Sequence, residues 1–289
     1  MRTLASIRYP LNFLSAQSWL REPSITTRSL STESLPTQSR GGLPRFHSQI
    51  LPTSKGEVVR VEGDEFWHMT KVLRLGLSDR VELFNGTGGL LQGCIQSIDR
   101  NGSDIIALEE PSFLCPEGIQ WHIFAAFSTL KGGRADWLIE KCTELGASSV
   151  TPLLTERSPT ITDNRMDRLE RVILAAIKQC QRLHKMTLNP PMKLHSIPSF
   201  VSGSRLSFVA LAESTPLLNA LSLSSAADVG VLIVGPEGDF TVEEVKLLTD
   251  AGATPVGLGP CRLRVETATV AMLSAAVLWS DAVKNKTVV

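Results

Sequence analysis

Two glycine-bearing segments carry the residue types from which a ligand site can be built. Val229-Gly-Val-Leu-Ile-Val234 runs straight into Gly235-Pro236-Glu237-Gly238-Asp239-Phe240, and Pro255-Val-Gly-Leu258 runs into Gly259-Pro260-Cys261-Arg262-Leu263-Arg264-Val265-Glu266-Thr267-Ala268. Gly235 and Gly238 remove side chains that would hold a ligand away from the backbone, and Pro236 fixes the turn between them. Such a loop can present bare amides and carbonyls to a nucleobase-sized ligand. Taken alone, each loop reads first as a glycine turn ending a buried strand, so these residues leave the ligand open. Other chemistries are excluded by spacing. The chain has no G-x-G-x-x-G after a strand, no G-x-x-x-x-G-K-[ST], no G-x-S-x-G and no H-E-x-x-H. Its cysteines, Cys94, Cys115, Cys142, Cys180 and Cys261, form no C-x-x-C pair and have no histidine at zinc spacing, so neither a metal module nor a disulfide framework is expected.

The elements that must position those loops form two bodies. From Arg45 to about Phe113, short apolar runs (Glu57 to Val61, Arg80 to Phe84, Leu90 to Ile98, Ile105 to Leu108) alternate with Asn85-Gly86, Gly88-Gly89 and Asn101-Gly102. This predicts short antiparallel strands closing into a small barrel or sandwich. One helical pattern interrupts them, capped by Asp64 and carrying Phe66, Met69, Val72 and Leu73. After a proline-bearing linker, strands alternate with helices, the signature of an α/β layer with a mostly parallel sheet. Strands are expected at Ile119 to Phe127, Ser149 to Leu154, Ser207 to Leu211, Val229 to Val234 and Pro255 to Leu258. Helices are expected at Arg134 to Leu145, Arg165 to Leu183, from a capping box at Thr241 and Glu244, and from about Glu266 to Val283.

Residues 1 to 43 hold five arginines, no lysine, only Glu22 and Glu33 as acids, and many serines and threonines. That composition is expected of a transit peptide for a mitochondrion or chloroplast. The 289 residues carry 29 basic and 29 acidic side chains. Without the leader's five arginines and two glutamates, 24 basic and 27 acidic remain, a net of −3. The longest near-apolar run, Ala268 to Trp279, falls short of the roughly 20 residues of a membrane span, so no membrane partner is expected.

The GPEGDF and LGPCRLRVETA segments, with the capped helix between them, resemble the C-terminal signature of the bacterial ribosomal small subunit methyltransferase E family, in the SPOUT superfamily of RNA methyltransferases. Arg45-Phe46, His68-Met-Thr-Lys71-Val-Leu-Arg74, Lys131, Lys141 with Glu144-Leu145-Gly146, Thr155-Glu156-Arg157, Gln179 and Arg182 extend the resemblance over the chain beyond the leader. It implies a PUA-like barrel at 44–113, then an α/β domain at 114–289 with a C-terminal trefoil knot. It also implies a homodimer, S-adenosylmethionine as methyl donor, and N3 of a uridine in small-subunit ribosomal RNA as acceptor. Carried over by position, the donor pocket uses Leu211, Ala212, Gly235, Pro236, Glu237, Gly238, Leu258, Gly259, Leu263, Arg264, Thr267 and Ala268. Three residues depart from the pattern. Asp239 stands where glycine is usual, which matters if that position needs positive φ; Cys261 replaces an arginine or polar residue; and Lys178 replaces an acid.

Within that reading, negative charge spreads onto O2 and O4 as N3 loses its proton, and Arg264 is placed to stabilise it, with Glu266 orienting Arg264 or the acceptor. A structural clamp for Arg264 and a dipole-complementing helix acid for Glu266 are the competing roles. Arg45, His68, Lys71, Arg74 and Arg182 are the expected RNA contacts, made to shape and phosphate without a stacking aromatic. Methylation of another RNA position, or a non-catalytic ribosome-assembly role, are the alternatives.

Overall fold

The computed structural model describes residues 42–127, 133–158, 166–225 and 227–287. The expected leader lies outside these apart from its last two residues, as do Lys131 and Arg165.

The first body is a six-stranded sheet. Its strands are β1 (Arg45–His47), β2 (Val58–Glu62), β3 (Arg80–Phe84), β4 (Gly89–Ile98), β5 (Gly102–Ala107) and β6 (Ser112–Phe113), ordered β1-β3-β4-β5-β2 with β6 on β4. Along β4 the residues alternate between buried and partly exposed up to the bulge near Ile95, as a strand with one covered face must. Phe46, Val61, Met69, Val81, Leu83, Leu91, Ile95 and Ile105 fill the interior. Asn85 and Asp99 build the two sharp turns, each accepting two backbone amides through its side chain. The pairing is not purely antiparallel: β1, too short to show a period, lies parallel to β3.

Between β2 and β3 runs α1 (Gly63–Trp67), which widens into a π-helical turn over His68–Val72. Glu62, not Asp64, is the residue at its N-cap. The amide of Leu73 reaches back five residues to the carbonyl of His68 (3.0 Å), and this wider turn takes Val72 and Leu73 out of the apolar stripe. Met69 is buried; Val72 and Leu73 are exposed.

The second body comprises β7 (Gln120–Ala125), α2 (Arg134–Glu144), β8 (Ser149–Leu154), α3 (Met166–Gln179), β9 (Thr187–Leu188), β10 (Met192–Lys193), α4 (Pro198–Ser202), β11 (Leu206–Ala210), α5 (Leu217–Ser222), β12 (Val229–Val234), α6 (Val242–Asp250), β13 (Thr254–Val256) and α7 (Val265–Thr287). Its strands are all parallel, in the order β10-β8-β7-β12-β11-β13 with β9 also on β8. Helices cover both faces, so β8 and β12 are buried almost continuously. Gly230 of β12 faces Trp121 of β7, whose ring occupies the space a Cβ would need, and the Trp121 indole N–H donates to Ser280 Oγ of α7 at 3.0 Å.

The two bodies are joined through the turn between β3 and β4. The Gly88 amide donates to Leu183 O (3.1 Å), and the Lys185 amide donates to Gly86 O (2.7 Å). Arg45 pairs with Glu82 (2.7 Å) and donates to Gln181 O, and Lys178 pairs with Glu65. Among the described residues no helix is long and apolar enough to cross a membrane.

Candidate functional site

The carboxyl ends of β11, β12 and β13 open into one cavity of about 530 Å³. This is the crevice where open parallel sheets hold ligands, and the volume suits a small molecule. Leu211, Ala212, Gly235, Pro236, Glu237, Leu258, Gly259, Leu263 and Ala268 line it, as do Glu213, Asp239, Cys261 and Arg262. The amides of Leu258 and Leu263 donate to no protein acceptor among the described residues. The walls combine the apolar side chains of Leu211, Leu258 and Leu263 with backbone donors and with the charged residues Glu213, Glu237, Asp239 and Arg262.

The loops around this cavity are held from outside. The capping box on α6 forms with both of its bonds: the Glu244 amide donates to Thr241 Oγ1 (3.2 Å), and the Thr241 amide donates to Glu244 Oε2 (2.9 Å). The second oxygen, Oε1, accepts the Glu156 amide (3.0 Å), which ties the segment after β8 to this helix. From that segment the Arg157 guanidinium reaches Gly238 O, while Arg262 donates to Glu237 O. An added Cβ on Gly238 would lie 3.2 Å from Arg157, so that glycine makes room for an arginine and does not line the cavity. Asp239 adopts φ 66°, the positive value its family departure made critical. Its amide closes a turn on Pro236 O (2.8 Å), and its carboxylate accepts the Phe240 amide (3.0 Å).

Arg264, Glu266 and Thr267 face elsewhere. Leu263, Val265 and Ala268 border the first cavity, whereas Arg264, Glu266 and Thr267 line a second of about 260 Å³ with Gly133, Arg134 and Trp137. The entry to α7 thus separates two adjacent hollows. The first mixes leucine side chains and open amides with charged residues at Glu213, Glu237, Asp239 and Arg262; the second holds two guanidiniums, one carboxylate and an indole. Arg134 and Trp137 belong to no motif in the sequence; only the fold, which leaves Trp137 exposed on α2, brings them to this hollow.

The expected RNA residues divide. Arg45 is spent on Glu82 and Gln181 O, and Arg182 donates to Thr143 O (3.1 Å) near the end of α2, with burial lowering its pKa. Both act as internal clamps. His68 and Lys71 are exposed in the π-helical turn and Arg74 is exposed just beyond it, and Trp67, which precedes them in the chain, is exposed too. Among the described residues no cluster could hold a metal ion.

A family model described as an RNA methyltransferase domain matches residues 117–277, more than half of the chain. The chain belongs to the RNA methyltransferase family. The RNA methyltransferase PUA domain matches residues 61–108, within the six-stranded body. The sequence is similar to two proteins named ribosomal RNA small subunit methyltransferase E. That of Synechocystis is 29% identical over 86% of this chain and 83% of its own length, and that of Mycobacterium bovis is 28% identical over 80% and 89%. Among solved structures, a Legionella pneumophila protein described as a methyltransferase, with the cofactor SAM bound, superposes with a TM-score of 0.69 at 26% identity, covering 83% of this chain and 98% of that one. The methyltransferase E of Neisseria gonorrhoeae, bound to S-adenosyl methionine, shares the fold with a TM-score of 0.70 at 23% identity, covering 83% and 99%. In this RNA methyltransferase the parallel-sheet body and the six-stranded body before it are the parts that the two family models match.

Proposed function

We propose that this chain methylates N3 of a uridine in the small-subunit ribosomal RNA of an organelle, with S-adenosylmethionine as donor. The observation that carries the reading is the pair of hollows on either side of the entry to α7. The first fits the donor: its volume, the apolar surfaces of Leu211, Leu258 and Leu263 and the open amides of Leu258 and Leu263 suit a nucleoside with a short chain attached. When bound, S-adenosylmethionine supplies an electrophilic methyl group.

The protein's part in the reaction is positioning and charge. Trp137 offers a flat face to an extruded base, and Arg134 and Arg264 offer two guanidiniums to the oxygens that gain charge as N3 loses its proton. Glu266, the one acid in that lining, orients an arginine or the acceptor, and it also sits in the first turn of α7 where the helix dipole favours a carboxylate. Holding both reactants converts a bimolecular step into an effectively unimolecular one.

The same reading includes a trefoil knot, which the family resemblance implies. It includes a homodimer, supported by Leu278, a large apolar side chain left exposed on α7. The Arg-rich, acid-poor leader supports import into an organelle. The deciding experiment maps N3-methyluridine in organellar small-subunit rRNA from cells with and without the protein. Loss of one such signal, restored by the parent chain, is the expected result; an unchanged map refutes the reading.

A further inference from the structure

Trp67 ends α1 with 60% of its surface exposed, beside the exposed apolar side chains of Val72, Leu73 and Leu77. His68 follows it directly, Lys71 lies in the same π-helical turn as His68, and Arg74 stands just past the end of that turn at φ 55°. All three basic side chains are exposed. Elsewhere along the joint the cations are committed to partners: Arg45 to Glu82, Lys178 to Glu65 and Lys185 to Glu170. The acids nearest the indole are largely spent too, Glu62 on Arg60 and Glu65 on Lys178, leaving Asp64 one turn earlier. An uncovered indole beside uncompensated positive charge complements a flat apolar ring carried on a phosphate chain.

We propose that Trp67, His68, Lys71 and Arg74 form a platform for an unpaired nucleotide of RNA, with the base stacked on the indole and the flanking phosphates on Lys71 and Arg74. This rests on the reading of the chain as an RNA enzyme and deepens it. Stacking needs a base out of its helix, so the barrel distinguishes looped from fully paired RNA, where phosphate contacts alone would not.

The test measures binding of the full chain to a fluorescent uridine-rich hairpin loop and to a duplex of equal length, across a salt series. Loss of one base stack predicts that Trp67→Ala weakens loop binding on the order of 10-fold, with duplex binding and salt slope unchanged. Trp67→Phe keeps an aromatic face and restores most of it. Lys71→Ala lowers the salt slope on the loop by about 0.7, one phosphate contact to a single strand. Equal loop affinity for parent and Trp67→Ala overturns the proposal, as does a Trp67→Ala chain whose only change is its sedimentation, which would make the patch a contact between copies. Methyl transfer is assayed on the same preparations. Active enzyme with Trp67-independent binding sinks the platform alone, whereas Trp67-dependent binding without methyl transfer sinks the enzymatic reading alone.

Discussion

Replacing Gly235 with alanine separates two reasons for a glycine at the mouth of a ligand cavity. An added Cβ would lie 2.8 Å from Phe240 Cε2, 2.9 Å from Cδ2 and 3.2 Å from Cζ. All three are well inside the roughly 3.5–4.0 Å at which carbon atoms attract. The ring has little room to retreat: Phe240 is buried against Ile233, Leu248 and their neighbours, and its amide is held by Asp239. Overpacking of this kind costs about 1–3 kcal/mol. Phe240→Leu alone is destabilising as well, because it leaves a void. In the double variant the methyl group fills part of that void, so the two losses should cancel in part, with a coupling of about 1–2 kcal/mol within the range found for residues in contact. Urea unfolding of the four proteins measures this cycle directly. Strictly additive losses, or a Gly235→Ala chain as stable as the parent but with lost S-adenosylmethionine binding, refute the packing argument and return Gly235 to a purely ligand-facing role.

Other expectations follow from single contacts. Asp239→Ala forces alanine to φ 66° and removes the bond to the Phe240 amide, and should cost about 1–2 kcal/mol by thermal unfolding, while Asp239→Gly stays within about 1 kcal/mol of the parent. Arg264→Ala should lower turnover by about 10²–10³ and leave S-adenosylmethionine affinity intact by calorimetry, because Arg264 lines the second hollow and not the first. His122 of β7 has its pKa lowered from 6.5 by burial. The unfolded chain therefore binds this proton first, and stability present above pH 6.5 is lost as the pH falls below it. His122→Asn should flatten that part of a stability profile.

How much of this was legible in the residues depended on whether the signal was local. The strands β8 and β12 end where the apolar runs end, since both faces are covered and each run is bounded by turn residues. The capping box could be read from Thr241 and Glu244 because it is a contact across three residues. By contrast, β1, β9 and β10 are two or three residues long and carry no period. The π-helical turn at His68 breaks the 3.6-residue period, so Met69 is buried while Val72 and Leu73 of the same pattern are exposed, as is Trp67. Charge was the least legible property. Arg45, Arg182 and Lys178 look like surface cations in the sequence, yet each meets an acceptor from a distant part of the chain.

Lys178 is the instructive case, because its partner Glu65 lies in the other body. The Lys178 and Glu65 side chains are only 26% and 15% exposed, so their pairing is worth more than an open surface bridge and less than a fully buried one. Lys178→Glu sets two carboxylates against each other at the joint and should cost about 1–3 kcal/mol. Glu65→Lys should cost more, because Glu65 also accepts the His47 amide at 3.0 Å. The exchanged pair, Glu65→Lys with Lys178→Glu, should regain the charge complement but not that backbone bond, and so remain about 1 kcal/mol short of the parent. If the joint fixes where the barrel holds RNA relative to the two hollows, Lys178→Glu should also lower turnover on rRNA while binding of a short loop to the barrel stays at the parent value. Unfolding curves and the two RNA assays read these effects separately. A Lys178→Glu chain with parent stability and parent turnover would show that the backbone bonds from Gly86 and Gly88 to Lys185 and Leu183 hold the joint without the ion pair.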